Sequence, residues 1–199
     1  MIELVIGTSL AASAGLNAWM PLFLLGLADR LLPAVTLPPA WSWLSGDVTL
    51  WIIGALLVLE IVADKIPALD SINDVVQSVL RPASGGIAFG AGAGAQTLAV
   101  DDPSSFFADN AWVPVVTGVV IALAVHIVKA VGRMTANAVT GGLAAPVLST
   151  AEDGASFALA AAAIVVPVVA AVLLIGMIVA VIVMLRRRRR ASATARPRV

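Results

Sequence analysis

The chain has 199 residues, 60% of them hydrophobic and 12% charged, with a mean hydropathy of +1.03. A soluble domain is nearer half apolar and a quarter charged, so this composition excludes an ordinary soluble enzyme, a disordered chain and a nucleic-acid binder. The 12 basic residues balance the 12 acidic ones, there is no Cys, and His126 is the single histidine. Disulfides, thiolate chemistry and a zinc site built on several His ligands of one chain are thereby excluded.

A crossing helix needs about 20 apolar residues. Six stretches are candidates: about 4–28, 48–63, 72–100, 111–131, 135–150 and 155–185. The opening MIELVIGTSLAASAG has no basic leader region and is read as part of the first span. The fifth stretch is short and rich in Gly and Ala. The sixth is long enough to tilt or to extend beyond the bilayer. Backbone groups in lipid need internal hydrogen bonds, so every span is a helix. The predicted fold is all-α, a polytopic membrane helix bundle in one domain (1–185), with a basic, disordered tail (186–199).

Basic residues segregate to one side of this topology. Arg186–Arg190, Lys129, Arg133 and Lys65 fall at inner ends, whereas Asp29, Asp47, Asp101, Asp102, Asp109, Glu152 and Asp153 fall at outer ones with Arg30. The positive-inside rule then places both termini in the cytoplasm, and the membrane is a bacterial inner membrane. If 135–150 only dips into the bilayer, the N-terminus lies outside instead. Trp41, Trp43, Trp51 and Trp112 suit an outer aromatic belt.

Pro21, Pro82 and Pro146 each fall in an odd-numbered span beside small residues. Shifts of 61 and 64 residues also pair Pro21 with Pro82 and Lys65 with Lys129, which reads as three helix hairpins with Pro-broken first helices or as chance matching in an apolar sequence. Parallel repeats of this kind occur in transporters.

The densest polar run spans residues 60–81. Glu60 and Asp64 share a helix face, Pro67 breaks the chain, and Asp70, Asp74 and Arg81 follow on the next helix. Such an elbow suits a hard cation or a proton relay; the alternative is a solvated turn paired with Lys65 and Arg81. His126, Lys129 and Arg133 form an i, i+3, i+7 stripe, and His126 is a proton-coupling partner for Glu60 or a singly hydrogen-bonded histidine. Asn17 lies beside Pro21, where a broken helix exposes backbone groups to a substrate or is satisfied by its neighbours. Asn17, Glu60, Arg81 and His126 are therefore the candidate substrate or ion pathway, and Asp64, Asp70 and Asp74 the candidate acidic elbow. Gly86, Gly90 and Gly94 form a small-residue face for close helix packing, within the chain or between copies in a homo-oligomer. Glu152 and Asp153 complement a helix N-terminus. Arg186, Arg187, Arg188, Arg189 and Arg190 suit anionic lipid headgroups. No phosphate-binding, dinucleotide or Ser-His-Asp pattern occurs, so no cofactor is expected and an enzyme is the less favoured class.

The segments SAGLNAWMPLFLLGLADR (13–30), DKIPALDSINDVVQSVLRPASG (64–85) and TGGLAAPVLSTAED (140–153) together resemble a bacterial integral-membrane family catalogued as domain of unknown function four-one-two-six. The resemblance covers most of residues 8–185 and is most specific in DKIP-x-x-D…RP-x-x-G. In the third segment Ala144-Ala145 replace the Gly-Asn expected before the proline. The resemblance implies a small membrane protein and carries over no substrate, cofactor or catalytic residue. The leading functional expectation is a small transporter or channel for an ion or small solute. The alternatives are a membrane scaffold or assembly partner, and a lipid-handling membrane enzyme.

Overall fold

The structure, a computed structural model, describes the backbone of residues 1–97, 99–100, 110 and 112–194, and the side chains of these except 67–72, 74, 184–185 and 187–194. In chain order the helices are α1 (Ile2–Leu16), α2 (Met20–Leu31), α3 (Asp47–Ala63), α4 (Pro67–Ala93), α5 (Trp112–Thr140), α6 (Ala145–Val165) and α7 (Pro167–Thr194), with a 3-10 segment at Pro39–Ser45. Among the described residues there is no β-strand, only isolated bridges such as Thr36 with Gln96.

Prolines fix where several helices stop. A proline ring clashes with the carbonyl four residues earlier, which for Pro21 is that of Asn17. Asn17 accordingly leaves the helical region (φ −143°, ψ 121°). Its side-chain oxygen accepts the N–H groups of Trp19 (3.2 Å) and Met20 (3.0 Å), and Pro21 stands in the first turn of α2, where a missing N–H is harmless. Pro167 likewise ends α6 and opens α7, so residues 155–185 are not one helix. The stretch 135–150 also divides. It comprises the end of α5, a turn in which Gly141 and Gly142 take φ of 61° and 89°, and the start of α6 with Pro146 in its first turn. Pro82 differs from the other two repeat prolines, because it lies inside α4, which packs against both α1 and α5.

Side-chain contacts set the helix directions. Ser13 meets Ser156 and Asn17 meets Asp153, so α1 runs antiparallel to α6. Yet α2 places Leu24, Leu27 and Leu31 in one crevice with Ala161, Ile164 and Val165, at the far end of α6. The chain therefore reverses at Asn17, and α1–α2 is a helical hairpin with its tip at Leu16–Trp19. The tip lies deep in the bundle. At 1.5 Å per residue, Asp153 stands about 18 Å from one end of α6 and about 12 Å from the other.

The chain reverses again at Val166. Met177, Ile178, Val181 and Ile182 of α7 line a groove together with Glu152 and Lys129. Had α7 continued α6 in a straight line, Ile178 would lie about 40 Å from Glu152. The start of α1 and the arginine end of α7 thus point to opposite ends of the bundle. The sequence reading sets both termini on one side because it takes 4–28 as one crossing helix, where the structure has two helices that reverse at Asn17. Helix α7 also continues through Arg186–Arg190 to Thr194, where the sequence reading expects disorder. Arg and Ala are strong helix formers, which accounts for the extension. Arg186 is exposed, the side chains of Arg187–Arg190 lie outside the described residues, and so do residues 195–199.

From Ile6 onward α1 is buried on nearly every face, as befits a helix that packs against α2, α4, α5, α6 and α7. Helices α4 and α5 approach backbone to backbone. A Cβ added at Gly85 would overlap Ala122 and the Gly118 carbonyl, and one at Gly118 would overlap the Gly85 carbonyl. The stripe singled out in the sequence is used inside the chain: Gly86 faces Val115 and Val119, Gly90 faces Trp41, and Gly94 faces Pro38.

The outer surface is apolar. Val48, Trp51, Val58 and Leu59 on α3, Val116, Val120 and Ile127 on α5, and Val168, Val172 and Ile175 on α7 are all exposed. Two described helices, Trp112–Thr140 and Ala145–Val165, are long and apolar enough to cross a bilayer. The bent pair Pro39–Ser45 and Asp47–Ala63, which turns by 65°, makes a third if it counts as one span. With hydrocarbon side chains outside and charges inside, this is a membrane-embedded helical bundle.

Candidate functional site

The interior charges converge on the hairpin tip. A chain reversal leaves backbone N–H and C=O groups without helical partners, and these must be satisfied away from water. Here side chains from the surrounding helices do so. The Leu16 carbonyl accepts the Lys129 ammonium of α5 at 2.6 Å. The Ala18 N–H donates to both Glu60 oxygens of α3, at 3.2 and 3.1 Å. The Ala18 carbonyl accepts the Ser84 hydroxyl of α4. The Asn17 amide donates to Asp153 of α6 at 3.0 Å.

Behind this first set the ions pair with one another. Arg81, fully buried on α4, donates to Glu60 at 3.0 Å and lies 3.6 Å from Asp64. Asp64 also receives Lys129 at 3.3 Å, Arg133 at 3.2 Å and the Asn73 amide at 2.6 Å. Glu152 takes Lys129 at 3.2 Å and a two-pronged contact from Arg133 at 2.9 and 2.5 Å. Asp153 closes the network toward the surface by accepting Lys65 at 3.1 Å. Acids Glu60, Asp64, Glu152 and Asp153 thus balance bases Lys65, Arg81, Lys129 and Arg133. Buried ions are tolerated only when paired and hydrogen-bonded in this way.

His126 has a defined tautomer. Arg81 donates to its Nδ1 at 3.1 Å, and a guanidinium cannot accept, so Nδ1 carries the lone pair. Nε2 then bears the proton and donates to Ser78 Oγ at 3.1 Å. On α4, Arg81 Nε and, one turn earlier, Gln77 Oε1 are buried and have no hydrogen-bond partner among the described residues.

Asp64 lies one residue past the end of α3. Burial pushes its carboxyl up, but Lys129, Arg133, Arg81 and the Asn73 amide together outweigh burial and hold it below the ordinary carboxylate value.

The structure brings Asn17, Glu60, Arg81 and His126 into one site. It adds Asp64 as the centre of a cationic cluster, with its oxygens committed to Lys129, Arg133 and Asn73 and not to open solvent. The side chains of Asp70 and Asp74 lie outside the described residues. Among the described residues no group of three His, Asp or Glu side chains is arranged to hold a metal. Lys129, Arg133, Glu152 and Asp153 are members that the sequence reading placed at opposite ends of a crossing helix. Their signal was the i, i+3, i+7 spacing of His126, Lys129 and Arg133, which turns the whole stripe inward. The short α5–α6 turn then returns Glu152 and Asp153 to the same depth.

A buried helical hairpin, gripped at its tip by ionised side chains inside an apolar shell, defines a membrane protein with a polar interior site. The chain belongs to the family described as domain of unknown function (DUF4126), which matches residues 4–187. No curated protein and no solved structure matches it.

Proposed function

We propose that this protein is a small transporter or channel for an ion or small solute, with its site at the α1–α2 tip. One observation carries the reading: at mid-depth, backbone groups of a reversed helix are held by ions drawn from α3 and α5, and the Asn17 side chain by an ion from α6. Helix interruptions that line an interior site are how multi-pass carriers present backbone charge to a substrate. Intramembrane ionisable residues are expensive and mark such pathways. Glu60 and Arg81 are the groups that meet the transported species, and Asn17 shapes the tip.

In this proposal the membrane is the bacterial inner membrane, and the arginine end of α7 faces the cytoplasm by the positive-inside rule. The start of α1 then faces outward. Helices α3 to α7 cross the bilayer, and the α1–α2 hairpin enters it from outside and returns. Anionic lipid headgroups meet Arg186–Arg190. The scaffold reading drew on the Gly86, Gly90 and Gly94 face, and that face is occupied by Val115, Trp41 and Pro38 of the same chain.

The experiment is charge and solute movement in sealed proteoliposomes, with wild type compared against Glu60→Gln. Saturable flux that the substitution lowers at least about tenfold supports the proposal, since tenfold corresponds to about 1.4 kcal/mol of lost interaction. Equal flux in both proteins, or none from protein shown to be folded, removes it.

A further inference from the structure

Resting on that reading, we infer that the tip is a binding site for a small monovalent anion, that Glu60 is a tethered anion occupying it, and that anion entry requires Glu60 to take up a proton. The Glu60 carboxylate sits where a free anion would bind. It accepts the Ala18 N–H with both oxygens, close to the N-terminal end of α2, and receives Arg81 at 3.0 Å. A helix N-terminus combined with a guanidinium is a general recognition unit for anions. The Arg81 guanidinium is fully buried, reaches Glu60 and has no partner for its Nε among the described residues, so the site holds more donor capacity than Glu60 consumes.

The opposite end of the tip argues for the same sign. The Leu16 carbonyl end of α1 is already taken by Lys129, which is shared with Asp64 and Glu152, so the cation place carries its own bound cation with matching acceptors. The groups around Glu60 are Arg81 and Ser84 on α4, His126 and Lys129 on α5, Asp64 next to it beyond α3, and Glu152 and Asp153 on α6 beyond Lys129. Removing the Glu60 charge leaves Arg81 with neutral His126 at 3.1 Å and, as its acid among the described residues, Asp64 at 3.6 Å, and Asp64 already serves Lys129 and Arg133. An incoming anion restores the balance. Gln77 Oε1, one turn from Arg81 on α4, is buried and has no donor among the described residues, and an amide oxygen is the kind of acceptor that a protonated carboxyl needs.

The exchange balances simply. One proton binds the Glu60 carboxylate, the neutral carboxyl leaves Ala18 and Arg81, and one anion takes those donors. No other bond forms or breaks. Formate is the direct probe, since it is the free copy of the Glu60 carboxylate, and chloride is the second probe.

The test is equilibrium binding to the full chain in detergent, by titration calorimetry in buffers of different ionisation enthalpy. Wild type should take up about one proton per formate or chloride bound, by linkage of the two equilibria. Affinity should fall as pH rises. Glu60→Gln should bind without proton uptake, independently of pH, and at least about tenfold tighter than wild type at high pH, because no tethered competitor remains. Binding by formate alone or by both probes supports the inference and sets the selectivity. Anion binding by wild type without proton uptake overturns it, as does no binding by wild type at any pH. The wild-type measurement stands by itself if Glu60→Gln does not fold. Flux of some other solute, together with absent anion binding, overturns this inference and leaves the transporter proposal in place.

Discussion

Lys129 of α5 donates to the carbonyl of Leu16, the last residue of α1, at 2.6 Å, and the same ammonium reaches Asp64 and Glu152. One side chain therefore terminates a helix and joins two carboxylates. Lys129→Met keeps much of the volume and removes all three interactions. Breaking a buried pair by deleting one partner costs about 3–5 kcal/mol. Thermal unfolding in detergent should show a large loss of stability, whereas Val131→Ala on the exposed side of α5 should change little. Equal losses for the two would mean that the network does not hold the tip.

Gly85 and Gly118 set the distance between α4 and α5. Alanine at either should destabilise by about 1–3 kcal/mol, since the added methyl meets backbone of the opposite helix. Gly132 lies on α5 as well, with nothing among the described residues within 4 Å of its Cβ position. Gly132→Ala should be neutral or stabilising by up to about 1 kcal/mol through helix propensity. The three variants can be ranked in one unfolding series.

The reversal at Asn17 places Ser13 Oγ 2.8 Å from Ser156 Oγ. The chain has no Cys, so a Ser13→Cys, Ser156→Cys double variant gives an unambiguous crosslink. A disulfide needs two Cβ atoms close together, and the 2.8 Å Oγ–Oγ contact puts these two side chains within crosslinking reach. Oxidation should protect both thiols from maleimide. Persistent labelling in folded protein would show that α1 does not lie along α6.

Opposite ends of the bundle should label from opposite sides of the membrane. A membrane-impermeant maleimide applied outside whole cells should modify Ile2→Cys and spare Ser192→Cys, and inverted vesicles should reverse the pattern. Labelling of both from one side would remove the proposed topology.

Asp64 carries a pH signature. Its folded carboxyl lies below the ordinary value, so its contribution is fully present above that value and is lost as pH falls through the folded one. Stability measured on descending pH should drop below the usual carboxylate range. Asp64→Asn should be less stable at neutral pH, and its profile should be flatter in that acid window.

Much of the site was legible in the sequence because polar residues are scarce in so apolar a chain. Glu60, Arg81, His126 and Asn17 stood out for that reason, and they do meet. The limits of α3 and the start of α5 were readable from apolar run length, whereas α5 continues to Thr140, past the expected end at 131. Pro21 announced a break, but a proline specifies only that a helix stops, not whether the next one continues or returns. That direction is decided by Ser13 with Ser156, Asn17 with Asp153 and the α2–α6 crevice, which are contacts between segments more than a hundred residues apart. The error over Glu152 and Asp153 had the same origin. Acids next to a helix start look solvated until the turn at Gly141 and Gly142 carries them back beside Arg133.

The hairpin tip has a consequence for how the chain is made. Its partners are Glu60, Ser84, Lys129 and Asp153, so every one of them leaves the ribosome after the tip itself. The N–H of Ala18 waits for Glu60, the carbonyl of Leu16 for Lys129, and Asn17 and Ser13 for Asp153 and Ser156, and until then these groups lack the partners that let them rest in hydrocarbon. The α1–α2 hairpin, made before all of its partners, is therefore expected to seat fully only when α6 is in place.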